Sequence, residues 1–272
     1  NIFKMKRNNI IILSVILALG LLTMLAMPQH KAVKPADEAA IDPAAMQRVL
    51  GKVTGKAGAW LEARRLDSLR NIPDSIGGTL TFSDGSAAVV ECLGCAGLDF
   101  VILDNEHSPI EAETTAELVR AAERRNITPL ARVREISRPA ILKLLDVGVQ
   151  GLIIPDVRSA EDVRHIVSYA KYAPAGQRGF CPSRKDGWGT DPQCGVLDTM
   201  AHFNAETLVI PQCETAEALA DIETIAATEG VDGIFIGPFD LSISMGMPGD
   251  FENPQFCAAL VRILSACRVA GK

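Results

Sequence analysis

Apolar residues fall into three regimes along the chain. From Ile10 to Met27 they form one run, IIILSVILALGLLTMLAM, eighteen residues without a charge. Residues 28–58 carry Ala, Lys, Gly and Pro with no long apolar face. From about residue 60 short apolar runs alternate with amphipathic stretches. The runs Ile76–Phe82, Phe100–Leu103, Pro129–Val133, Gly151–Pro155, Leu208–Gln212 and Gly233–Gly237 read as β-strands. Helices are expected between them. Glu113–Arg125 sets Leu118, Ala121 and Ala122 on one side and Glu123, Arg124 and Arg125 on the other. Thr215–Thr228 aligns Leu219, Ile222, Ile225 and Ala226, and two more helices are expected over Ala160–Tyr172 and Pro254–Val269. Most strand starts (76, 100, 129 and 151, then 208 and 233) lie 22 to 29 residues apart, the length of one βα unit. The interval from 151 to 208 holds a helix and a long loop. This alternation predicts a parallel sheet with helices outside, either doubly wound or closed into a barrel. No G-x-G-x-x-G follows a strand, so a dinucleotide site has no support.

Lys4, Lys6 and Arg7 precede the apolar run and Pro28 ends it, the layout of a signal peptide or an N-terminal anchor. At 1.5 Å per residue the run reaches about 27 Å, just enough for a hydrocarbon core. No small-x-small cleavage site follows, because Met24 lies two places before Ala26, so an uncleaved anchor is preferred to a cleaved signal. The expected organisation is a signal or anchor segment at 1–27, a linker at 28–58 and one domain at 59–272. Composition narrows the class without naming it. Apolar residues make up 48% and charged residues 22%, which excludes a disordered, collagenous or disulfide-dense chain. The net charge is −6, and no basic run interleaves with aromatics, so a nucleic-acid partner is not expected. Seven cysteines cannot all pair within one chain, which favours free thiols and a reduced compartment.

Polar residues collect at the C-terminal ends of the strands. The second run ends in Asp104-Asn105-Glu106-His107, the third in Arg132, the fifth in Gln212 and Glu214, and the sixth in Asp240. In a parallel barrel such ends converge on one face, where active sites form. Gln212 and Glu214 are two apart and point the same way, while Cys213 points towards the helices. Two carboxylates, Glu214 and Asp240, on adjacent strand ends would repel each other unless a cation sat between them. Oxygen ligands without clustered His or Cys suit Mg²⁺ or Mn²⁺ rather than structural zinc. Taken singly, each of these residues is also what a solvated strand end carries; their convergence favours a site.

DNEHSP at 104–109, LLDVGVQGLIIPDV at 144–157, QCET at 212–215 and GVDGIFIGPFDLSISMGMPG at 230–249 resemble the HpcH/HpaI aldolase family, class II pyruvate aldolases that cleave 4-hydroxy-2-oxo acids and 2-dehydro-3-deoxy sugar acids. The resemblance runs from about residue 60 to the end. It implies a TIM (β/α)₈ barrel, a divalent metal (Mg²⁺ or Mn²⁺, with Co²⁺ a third candidate) and a homo-oligomer with shared sites. By resemblance, Glu214 and Asp240 are the metal ligands, His107 the catalytic base, Asp104 the acid that orients it, and Arg132 the arginine on the pyruvate keto oxygen. Counting back from LLDVG selects Arg132 over Arg134. Gln212 matches a substrate-side glutamine, and Phe239 stands where a backbone amide meets the pyruvate carboxylate. The family commonly has a small residue at the Phe239 position and another at Asn105. Retro-aldol cleavage leaves a pyruvate enolate, whose developing charge calls for a Lewis acid and a fixed cation such as Arg132. A Schiff-base route would need a desolvated strand lysine, and these strands have none.

Weaker signals accompany this reading. Cys92 and Cys95 form a CxxC within an expected helix and read as small core-facing residues. The loop at 179–190 has lid length, with Trp188 as a candidate cover; Arg178 and Arg184 read first as solvated arginines, and as contacts to an acidic substrate group only second. Two alternatives stand beside the aldolase: a citrate-lyase-like enzyme acting on CoA thioesters, and an inert, membrane-tethered binding subunit. The N-terminal segment argues for anchoring or export, whereas the resemblance argues for the cytoplasm. Six strand-like runs against the eight of a closed barrel lead to the expectation of a barrel truncated after its sixth strand, open between 233–237 and 76–82, with the hydrophobic helix outside it.

Overall fold

The computed structural model describes residues 77–80, 86–190 and 195–272. The expected anchor at 10–27, the linker at 28–58 and Cys194 lie outside the described residues. Six strands follow one another: β1 (Gly77–Leu80), β2 (Phe100–Asp104), β3 (Thr128–Arg132), β4 (Gly151–Ile154), β5 (Leu208–Cys213) and β6 (Phe235–Ile236). They form a parallel half-barrel in the order β1-β2-β3-β4-β5-β6. Helices α1 (Ala87–Ala96), α2 (Ala112–Arg124), α3 (Arg138–Asp146) and α4 (Ala160–Ala170) fill the first connections. A 3₁₀ segment (Arg184–Gly189), α5 (Val196–Glu206), α6 (Ala216–Ala220), α7 (Ile222–Ala227), α8 (Pro238–Ser244) and α9 (Pro254–Val269) complete the described chain.

Side-chain alternation decides between the two sheet architectures left open by the sequence. Successive strand residues face opposite sides. Phe100, Ile102, Leu130, Ile153, Ile210 and Phe235 form one buried cluster made of strand residues alone. Their neighbours Val101, Leu103, Ala131, Leu152, Ile154, Val209 and Cys213 join Leu118, Ile141, Ile166 and Ile225 of the helices in a second, larger cluster. Helices therefore cover one face only, and the other face packs strand against strand, as in a barrel and unlike a doubly wound sheet.

The strands and most helices lie where periodicity expects them, and α9 has the expected bounds. Two local expectations are corrected. The helix expected over Thr215–Thr228 breaks at Asp221 (φ −105, ψ 15) into α6 and α7. Asp221 leaves helical geometry and its Oδ2 accepts from the Ala160 N–H at 2.8 Å, supplying the start of α4 with an acceptor. Cys92 and Cys95 do not face the core: both thiols are exposed, and Val90 is the buried residue of α1.

Candidate active site

The C-terminal ends of β2, β3 and β5 bring the expected side chains together. Asp104 and Arg132 are direct partners in the β2–β3 register. Both point to the concave side, continuing the rows Phe100–Ile102 and Leu130. Asp104 is fully buried; its Oδ1 accepts from Arg132 Nε at 2.8 Å, and its Oδ2 accepts from the other end of the guanidinium. Oδ1 also accepts from the backbone N–H groups of Glu106 (3.1 Å) and His107 (3.2 Å), which bends the chain sharply after β2. Asp104 thus meets His107 through its amide. The His107 imidazole, 52% exposed, instead lies with Nε2 3.4 Å from Glu106 Oε2. The same Glu106 oxygen is 3.3 Å from Arg132 Nε.

Glu214 continues the inward row Ile210–Gln212 of β5 and is buried with Gln212. Its Oε1 accepts from the Asp156 N–H at 2.6 Å, and its Oε2 accepts from the Gln212 side-chain amide. Burial pushes the Glu214 carboxyl up to about 6; the Asp156 amide and Gln212 work against the rise, and the nearby charges of Glu106 and Asp240 add to it. Burial also raises Glu106, with Arg132 and His107 opposing and Asp104 and Asp240 reinforcing. Asp240 stands exposed in the first turn of α8. Gly237 makes room for the cluster: a Cβ there would lie 2.6 Å from Glu214 Oε2 and 2.7 Å from Gln212 Nε2.

The site therefore holds several mutually repelling carboxylates beside one guanidinium already committed to Asp104. Glu106 Oε2 and Gln212 Oε1 are buried without hydrogen-bond partners. Such a donor set fits an oxygen-seeking divalent cation. Among the described residues no three His, Cys, Asp or Glu side chains converge to enclose a metal. Glu214 and Asp240 offer two carboxylates, the sparse protein contribution that Mg²⁺-like ions accept when substrate and water complete their shell.

Other expected residues lie elsewhere. Arg134 is exposed and pairs with Glu111, so Arg132 is the arginine in the site. Phe239 is exposed on α8 and packs edge-on against Phe251, with ring centroids 5.0 Å apart. Cys213 faces the helices as its parity requires, and burial raises its thiol to about 12. The 179–190 loop does not cover the strand ends. Arg178 is buried against Asp146 at the end of α3, and Arg184 pairs with Glu123 at the end of α2, both at the opposite end of the sheet. Trp188 is 66% exposed. The loop fails as a lid because its cations are neutralised by helix-terminal acids that the linear sequence does not bring near. Sequence reasoning named Glu106 at the strand end without giving it a role, and gave none to the Asp156 amide or Gly237. Glu106 carried a readable signal, standing two residues after Asp104 in the same acidic run.

A parallel half-barrel with acids, an arginine and a histidine gathered at its strand ends defines a barrel-enzyme architecture. A profile of the HpcH/HpaI aldolase/citrate lyase family matches residues 79–272, and the chain belongs to that family. It is similar to the 4-hydroxy-2-oxo-heptane-1,7-dioate aldolase of Salmonella dublin, 35% identical over 184 residues, 67% of this chain and 68% of the relative. The 2-keto-3-deoxy-L-rhamnonate aldolase of Escherichia coli O9:H4 is 34% identical over 195 residues, 71% of each chain. The solved HpcH/HpaI aldolase from Desulfitobacterium hafniense DCB-2 superposes with a TM-score of 0.67 at 31% identity, over 72% of this chain and 75% of that one.

Proposed function

We propose that the protein is a carbon–carbon lyase, an aldehyde-lyase that cleaves a 4-hydroxy-2-oxo acid or a 2-dehydro-3-deoxy sugar acid to pyruvate and an aldehyde. The observation that carries this reading is the grouping of Arg132, His107 and the raised carboxylates Glu106 and Glu214 on one face of the sheet. The two named relatives act on oxo acids of these two kinds. Glu214 and Asp240 would hold the divalent cation, with Mg²⁺ or Mn²⁺ suited to their oxygens. When bound, such a cation supplies a Lewis acid for the keto group of the substrate.

The remaining work falls to the chain. Arg132, held flat by Asp104, presents a fixed positive charge to the oxygen that becomes the enolate, and needs no reorganisation as that charge develops. His107, exposed at the rim, takes the proton of the C4 hydroxyl so that the C3–C4 bond can break. Gln212 orients the substrate from the floor, and the Phe239 amide receives the pyruvate carboxylate. Asp104 acts on His107 by fixing the turn that carries it. The six strands are read as consecutive units of a (β/α)₈ barrel, and the enzyme as a homo-oligomer. Membrane attachment through residues 10–27 belongs to the same proposal; among the described residues no helix is long and apolar enough to cross a membrane. Sedimentation of the full chain with and without residues 1–40 tests it.

The central experiment is pyruvate release by purified protein from a panel of 4-hydroxy-2-oxo acids, with Mg²⁺, Mn²⁺ or chelator. Cation-dependent release that Glu214→Gln and Asp240→Asn abolish is expected. Release at full rate in chelator would overturn the mechanism.

A further inference from the structure

Three of the described residues other than glycine have a left-handed backbone: Asn126 (φ 55), Asp156 (φ 51) and Trp188 (φ 64). Asn126 follows the last turn of α2, where helices commonly end this way, and Trp188 stands between two glycines of the 3₁₀ segment. Neither setting applies to Asp156. It comes just after β4, before the chain enters α4 through Ser159. Its N–H donates to Glu214 Oε1 at 2.6 Å. The next carbonyl, that of Val157, accepts from Thr215 Oγ1 at 2.9 Å, and Arg158 Nη1 lies 3.3 Å from Glu217 Oε1. Three successive residues after β4 are thus tied to the segment that leaves β5. The Asp156 carboxylate takes no part in that seam: it is 67% exposed and pairs with Arg158 at 2.9 Å.

We infer that Asp156 is a positioning residue for Glu214, whose left-handed backbone aims the amide at Oε1 and so fixes the carboxylate that receives the divalent cation. An L-residue seldom adopts this conformation; Asp and Asn tolerate it best, and β-branched residues poorly. Such backbones persist where the surroundings enforce them, and they cluster at functional sites. With the Asp156 amide on one oxygen and the Gln212 side-chain amide on the other, the Glu214 carboxylate is gripped at both ends. Outer partners of this kind orient a ligand and set its affinity for the ion. The role belongs to the direction of the Asp156 backbone, and its exposed carboxylate is dispensable. The inference rests on the reading of Glu214 as a cation ligand, yet one of its measurements needs no cation.

Three variants of the full chain separate backbone from side chain. Asp156→Asn and Asp156→Gly remove the charge but keep a residue that accepts the left-handed conformation. Asp156→Val disfavours that conformation while keeping the N–H. Mn²⁺ binding is titrated by electron paramagnetic resonance, with circular dichroism as a check on the fold. Asp156→Val should bind Mn²⁺ about 10- to 100-fold more weakly than the unmodified protein, whereas the Asn and Gly variants should stay within about threefold of it. Hydrogen exchange at the residue-156 amide, read from ¹⁵N–¹H spectra without cation, should be slow in the unmodified protein and in Asp156→Gly. It should be fast in Glu214→Ala, which removes the acceptor.

Three results would overturn the inference. One is Mn²⁺ binding by Asp156→Val as tight as that of the unmodified protein. Another is a loss in the Asn and Gly variants as large as the loss expected for Val, since the carboxylate would then be the active part. The third is exchange at the residue-156 amide that Glu214→Ala leaves unchanged. Should Asp156→Val not fold, the Asn and Gly variants and the exchange comparison decide the matter. Should the unmodified protein bind no Mn²⁺, the cation reading of Glu214 fails, and the exchange comparison still decides whether Asp156 holds that carboxylate.

Discussion

Asp104 and Arg132 are cross-strand partners whose side chains close a two-pronged pair, with Arg132 Nε donating to Asp104 Oδ1 at 2.8 Å. Asp104 is fully buried, and the Arg132 side chain is 15% exposed, so the guanidinium has one orientation available. Its outer face is left towards the cluster of Glu106 and Glu214.

That geometry separates two arginines two residues apart. Arg132→Lys keeps the charge but cannot reproduce the planar fork, so kcat should fall by about 10²-fold or more. Arg134→Lys alters only an exposed pair with Glu111 and should leave kcat within about twofold. Steady-state pyruvate release on both variants checks this; equal losses would show that Arg134 also reaches the substrate.

Gly237 is predicted to be intolerant of a single methyl group. An added Cβ would press on Glu214 Oε2 and Gln212 Nε2, and the backbone beneath is tied by the Gly237 N–H to the Cys213 carbonyl. Gly237→Ala should keep the secondary structure, yet lose about 10²-fold in activity because Glu214 is displaced on the ångström scale. Circular dichroism beside kinetics tests this, and full activity would mean that Glu214 moves without cost.

Glu214 gives a pH dependence with a defined sign. Its carboxyl sits at about 6 in the folded, cation-free protein, above its ordinary value of 4.5, chiefly through burial. The folded state therefore holds this proton more tightly than the unfolded state does. The associated stabilisation is complete below pH 4.5 and is lost as pH rises through 6, by about 2 kcal/mol in all. In chelator, Glu214→Gln should lack this decline and should gain on the unmodified protein between about pH 4.5 and pH 7. Denaturant titrations at several pH values measure the difference, and parallel curves would contradict the placement of Glu214.

The cysteines should divide by reactivity. Cys92, Cys95, Cys181 and Cys257 are exposed, whereas Cys213 is buried with its thiol raised to about 12. Brief alkylation of the native protein near neutral pH, read by mass spectrometry, should label the first four and spare Cys213 until the chain is denatured.

Sequence alone determined the order of strands and helices, because a two-residue and a three-to-four-residue periodicity are local properties of the chain. Parity along β5 also placed Gln212 and Glu214 on one side, where their side chains hydrogen-bond, and Cys213 on the other, where it packs among the helix-facing residues. The motifs at 104–109 and 230–249 carried the family, which the profile match over 79–272 establishes. Tertiary structure alone decided the rest. The choice of a barrel-type sheet rests on six inward side chains from five different strands meeting one another. Asp104 turns to Arg132, 28 residues away, while the His107 ring falls to Glu106. Glu214 takes its amide from Asp156, 58 residues distant, and Asp221 leaves its helix for Ala160. Arg178 and Arg184, candidates for the substrate when read in sequence, are claimed by Asp146 and Glu123. Charges choose partners by distance in space, and strand register and helix packing set those distances.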